Sequence, residues 1–129
     1  MSSGASIITE ICDLIALKQT LSELQAEYEE AKTVTTSDGV SRKVEVAIRD
    51  PHGRLIGLEK TRKGEYRFVA DTKGLSNEQL KKQQVFINRI RQKYAYNKVI
   101  NELKKQGYII SQEEKVQNNT IRLVARKWS

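Results

Sequence analysis

The sequence predicts an α+β domain: an antiparallel sheet carrying two helices, one of them long, in the order β-α-β-β-β-β-α-β-β. Three observations carry this. Leucines recur at spacings of three and four over residues 14–24, the mark of an amphipathic helix. Apolar and polar residues alternate through the middle of the chain, in segments separated by turn sequences. A long polar segment then opens on a capping box and closes on a glycine.

In chain order, SIITEI (6–11) reads as a short strand. Asp13 follows as a helix cap, because its carboxylate can accept the unpaired N–H groups of a first turn. Leu14, Leu17, Leu21 and Leu24 then give about three turns of helix with one apolar face. A highly charged strand runs from Glu27 to Val34, and TTSDGVSR (35–42) is a loop by composition. In KVEVAIR, Val44, Val46 and Ile48 alternate with Lys43, Glu45 and Arg49. DPHG (50–53) is a turn, RLIGLEK a strand, TRKG a basic turn, and EYRFVAD a strand with Tyr66 and Phe68 on one face and Val69 on the other. Two successive hairpins make an antiparallel meander. Ile56, Leu58 and Val69 interrupt its polar face, so a helix or a second chain is expected to cover part of that face too.

The long helix spans 77–106. Ser76 and Gln79 form the box S-x-x-Q, Lys104 and Lys105 suit the negative end of the helix dipole, and Gly107 suits a left-handed closing residue. At about 100° per residue, Phe86, Ile87, Ile90 and Tyr94 share one side. Tyr96, Val99, Ile100 and Leu103 share nearly the opposite side. The stripe changes face within QKYAYNKV, so both tyrosine rings are expected to be buried, in two different places, rather than paired as a base-stacking platform. YIISQEE (108–114) and TIRLVARKW (120–128) finish the chain as two strands.

A chain of 129 residues suits one domain with one core. It has no run of about 18 apolar residues, so no helical membrane span is expected. The N-terminus has no basic region ahead of an apolar one, unlike a secretory signal. The single cysteine, Cys12, cannot form an internal disulfide, which fits cytoplasm or plastid stroma. The net charge of +7 is unevenly spread. Residues 1–41 hold two basic and seven acidic groups, net −5, and the remainder is net +12.

Catalytic chemistry finds little support. The one histidine, His52, sits in a turn with no nucleophile or carboxylate paired to it by spacing. Cys12 precedes a carboxylate that opposes its thiolate, and reads as a small buried residue. One Cys and one His give no zinc-ligand spacing. Phosphate-binding glycine motifs are missing, so no cofactor is expected. Asp71 is expected to pair with a hairpin arginine such as Arg54. The residues that could contact a partner are basic: Arg62, Lys63 and Arg67 about a hairpin tip, Arg89, Arg91 and Lys93 on the long helix, and Arg122 and Arg126 near the C-terminus. Converging, they could contact phosphates of RNA or single-stranded nucleic acid. The half-covered sheet, the two-faced helix and the two-signed charge suit contact with another protein, or with a second copy of this one.

EYRFVAD, RQKYAYNKVINELKKQGY and the terminal TIRLVARKW resemble the hypothetical chloroplast reading frame thirty-five family, small proteins of cyanobacteria, algal plastids and other bacteria. ITEICDLIALKQTL fits that family's opening, an isoleucine-rich strand leading into a helix begun by aspartate. The resemblance covers nearly the whole chain. The departures are SSGAS where the family has an aromatic residue, TSDGVSR in place of a glycine-tyrosine-arginine-glycine stretch, and Thr72 and Lys73 where tryptophan is common. The chain is identified as a divergent member. The resemblance implies a compact α+β domain and an accessory role beside an AAA-type ATPase, and it transfers no catalytic residue.

Overall fold

A computed structural model describes residues 10–36, 38–115 and 121–127, with side chains as far as Tyr108 except that of Ala31. The elements are α1 (Leu14–Glu23), β1 (Tyr28–Thr35), β2 (Ser41–Arg49), β3 (Leu55–Lys60), β4 (Tyr66–Ala70), α2 (Asn77–Lys105), β5 (Tyr108–Lys115) and β6 (Ile121–Lys127). The first four strands form an antiparallel sheet in sequence order, and β5 and β6 form a separate antiparallel ladder. The predicted α+β class, the meander and the long helix are all present. Of the strand expected over 6–11, residues 6–9 lie outside the described part, and Glu10 and Ile11 form a bend. The Ile11 carbonyl accepts from the Tyr66 N–H at 2.7 Å, so the chain runs beside β4 there.

Local chemistry sets the helix ends. Asp13 Oδ1 accepts from the N–H groups of Ile15 (3.0 Å) and Ala16 (3.2 Å). These bonds, the Ala16 one first, hold the Asp13 carboxyl below its ordinary range, against a smaller opposing effect of desolvation. Ser76 and Gln79 complete both halves of the capping box, at 3.2 and 2.9 Å. Gly107 takes φ 84°, the left-handed conformation that ends α2. The loop expected over 35–42 is shorter. β1 and β2 take Thr35, Ser41 and Arg42 from it, and Asp38 fastens the remaining turn by accepting from Val40 N–H at 3.1 Å and from the Thr36 hydroxyl.

The main core lies between one face of the sheet and the two helices. Leu17, Leu21, Val46, Ile48, Leu58, Ile90 and Tyr94 are fully buried there, with Tyr66, Phe68 and Phe86 packed against them. On α2 the buried residues are Gln83, Ile87, Ile90, Tyr94 and Asn97, at spacings of four and three, so one stripe faces the core from Gln83 to Asn97. Tyr96, Val99, Ile100 and Leu103, on the other side, are half-buried.

The second sheet face, expected to be partly covered, carries a small apolar cluster of its own. Val34, Val44 and Ala47 form a small cluster there, with Leu55 and Val69 against it. The sheet itself curls, and Cα atoms of β1 come within 8 Å of both β3 and β4. Val44 thus leaves the face of Val46 and Ile48, where strict alternation put it, and points into the curl. The opening is Gly57, in the row Ala47–Gly57–Val69. A Cβ on Gly57 would lie 2.4 Å from Val44 Cγ1 and 3.1 Å from Val34 Cγ2.

Gly57→Ala is therefore expected to lower stability by about 1–3 kcal/mol through overpacking, read as a fall in the thermal midpoint. A melt unchanged from the parent would show that the curl can relax around a methyl group. Tyr94→Phe keeps the ring and removes the acceptor of two backbone N–H groups, from Cys12 and Asp13 at 3.2 Å each. It is expected to cost ~1–3 kcal/mol at neutral pH. Burial raises the Tyr94 hydroxyl above its ordinary value of 10.0. The folded state thus favours the protonated form, a stabilisation complete below that value and lost as pH climbs through the raised one. Melts taken from pH 9 to 11 should therefore fall less steeply for Tyr94→Phe than for the parent.

Candidate interaction surface

Strand β4 and helix α2 place aromatic, cationic, anionic and amide side chains around one groove. Tyr66, Arg67 and Phe68 come from β4, Asn88, Arg91, Gln92 and Ala95 from α2, and Glu10, Ile11 and Glu65 close one end. Its volume of about 620 Å³ lies within the range of binding clefts, roughly 300–1,000 Å³. The α2 residues recur at intervals of three, one and three, so they line one flank of the helix. The Arg91 guanidinium stands over the Phe68 ring, 5.1 Å from its centroid. This cation–π contact fixes both groups at the groove wall.

The basic residues singled out from the sequence do not form one patch. Arg67 and Arg91 share the groove lining, but Arg67 is engaged by Glu59 at 2.8 Å, and Arg42 reaches the same carboxylate at 3.5 Å. Arg62 and Lys63 are exposed at the β3–β4 turn, and Arg89 is exposed on α2. Lys93 lies over the Tyr96 ring, 4.9 Å from its centroid, away from Arg91 around the helix. Arg122 and Arg126 fall on β6, across from Glu114 and Ile109 in the ladder, and their side chains lie outside the described part. Asp71 pairs with Arg54 at 3.3 Å, as the sequence led one to expect. Cys12, expected to be buried, is exposed. Its neighbour Ile11 and the Tyr94 ring are the buried groups there.

Sequence reasoning missed the buried amides. Gln83 donates to Asp50 Oδ2 at 3.1 Å and to the Asp71 carbonyl at 3.3 Å. Asp50, itself buried, also accepts from His52 and Arg54 N–H groups at 2.9 and 2.8 Å. Asn97 donates to Thr20 Oγ1 at 3.1 Å and Glu23 Oε1 at 2.6 Å, tying α2 to α1. The available signal was position: both amides continue the spacing of Ile87, Ile90 and Tyr94. Among the described residues, no group of three or more His, Cys, Asp or Glu is placed to hold a metal ion. No helix among them is long and apolar enough to cross a membrane.

The fold and groove thus define a small α+β protein with an open groove between β4 and α2. The chain belongs to the DUF1257 family, described as proteins of unknown function, whose model matches residues 20–124. It is similar to the uncharacterized protein ycf35 of Pyropia yezoensis, 30% identical over 130 residues that cover 100% of this chain and 99% of that one. The ycf35 protein of Cyanophora paradoxa is 27% identical over 129 residues, covering 99% and 98%. These matches bear out the resemblance read from the sequence. No solved structure matches.

Reversing Arg62 and Lys63 together to glutamate is expected to leave the thermal midpoint within about 0.5 kcal/mol of the parent in stability, as for surface residues without a structural partner. A clear destabilisation would assign that turn a structural role instead.

Proposed function

We propose that this chain is a non-enzymatic accessory protein that binds another protein through the groove between β4 and α2. The mixture of groups around Phe68 carries the reading: Arg91 on one side, Glu10 and Glu65 at the end, and the amides of Asn88 and Gln92 between. A nucleic-acid backbone offers charges of one sign only, whereas a polypeptide brings apolar side chains to an aromatic centre together with charged groups at its rim. An AAA-type ATPase is the partner class implied by the sequence resemblance. Cytoplasm or plastid stroma suits a chain with one exposed cysteine. A second reading, binding of RNA or single-stranded nucleic acid, is favoured by the exposed Arg62 and Lys63 at the β3–β4 turn.

The test is purification of the tagged chain from its host, with and without nuclease, beside the variant Asn88→Arg at an exposed groove position. A protein partner that survives nuclease and is lost at least roughly tenfold from Asn88→Arg is the expected result. A partner retained equally by the variant would remove the groove from the proposal. Recovery of nucleic acid alone, abolished by nuclease, would favour the second reading.

A further inference from the structure

We propose that the segment bound at this groove is an acidic amphipathic helix of the partner protein, lying along α2. The inference rests on the preceding reading and adds the chemistry of the occupant. Val85 is 66% exposed on α2. At about 100° per residue, Val85, Asn88, Gln92 and Ala95 fall within roughly 80° of arc, on the side of α2 away from Ile87, Ile90 and Tyr94. Spacings of three, four and three are those of a seam between packed helices. The seam spans ten residues, or about 15 Å of helix, and runs into the groove beside Phe68. Small and amide side chains at its centre allow a second helix close approach.

Charge selects the occupant. Between Glu78 and Glu102, α2 carries six lysines and arginines and no carboxylate. Lys82 is paired with Glu78 at 3.7 Å and Lys98 with Asp13 at 3.5 Å. Arg89 and Arg91 flank the seam on its two sides and are exposed. A second copy of α2 on this seam would set these cations against their own kind, which costs affinity. A helix with acids beside an apolar stripe would instead place carboxylates against Arg89 and Arg91, and its apolar residues against Val85, Ala95 and the edge of Phe68. That is the helix-in-groove mode of recognition.

The test uses the full chain, labelled with nitrogen-15, titrated at low and moderate salt. The first probe is a synthetic peptide of roughly 20 residues, long enough to hold a helix, with leucines at three- and four-residue spacing and glutamates elsewhere. The other probes are a scrambled peptide of the same composition and polyuridylate. The expected result is amide shifts centred on Val85, Asn88, Gln92 and Ala95 with the patterned peptide. Binding should weaken roughly tenfold in Val85→Asp, a surface variant whose melt should match the parent. Equal binding of the scrambled peptide would overturn the helical seam. Tighter binding of polyuridylate on the same residues would overturn the choice of a protein partner. If no shifts appear at low salt, the acidic helix is overturned, while the groove reading stands or falls separately on loss of the host partner by Asn88→Arg.

Discussion

The hydroxyl of Tyr94 is the point on which the packing turns. It accepts the N–H groups of both Cys12 and Asp13, the residues that lead into α1. Its ring fills the core beneath them with no exposure. One turn further along α2, the ammonium of Lys98 meets the Asp13 carboxylate that caps α1. Asn97, between them, holds the far end of α1 through Thr20 and Glu23. Three neighbouring positions of one helix thus grip both ends of the other. The entry of α1, the seat of Leu17 and Leu21, and the carbonyl of Ile11 beside β4 follow from that grip.

Once α1 is fixed, α2 has one orientation that places its buried stripe on the sheet. The groove then lies between a helix of 29 residues and the fourth strand of a curled sheet. Near Tyr94 the helix sits close on the core. Beside β4 the sheet leaves a gap that Phe68 and Arg91 line without filling. The interaction surface is therefore set by backbone shape, and its charge by side chains that the core does not need.

Much of this was legible in the sequence because it is local. Asp13, the Ser76–Gln79 box and Gly107 announce helix ends through bonds that span only a few residues. The meander announces itself through alternation and turn residues. The curl was hidden, since it depends on Val34, Val44 and Gly57, which meet only across three strands. The same is true of the polar core: Gln83 and Asn97 carry solvent-type side chains, and their burial depends on acceptors supplied by Asp50, Asp71, Thr20 and Glu23 from distant parts of the chain. The exposure of Cys12 was not legible either, since it depends on which of two adjacent residues, Ile11 or Cys12, turns toward the core that Tyr94 fills. The groove could be read only as a collection of basic residues, three of which, Arg67, Arg91 and Lys93, proved to have intramolecular partners. Which cations stay available is decided by tertiary neighbours such as Glu59, and spacing alone does not reveal them.

The curl has a consequence for the life of the protein in a crowded compartment. A four-stranded open sheet offers two outer backbones on which foreign strands can polymerise. Here β1 bends toward β4, so neither outer strand presents a long, flat template. The residues along β1, including Glu29, Glu30 and Lys32, carry charges that discourage stacking of like chains. Gly57, a residue with no side chain, leaves the space into which Val34 and Val44 fold, and so sets the bend that takes the outer strand out of the plane of the sheet.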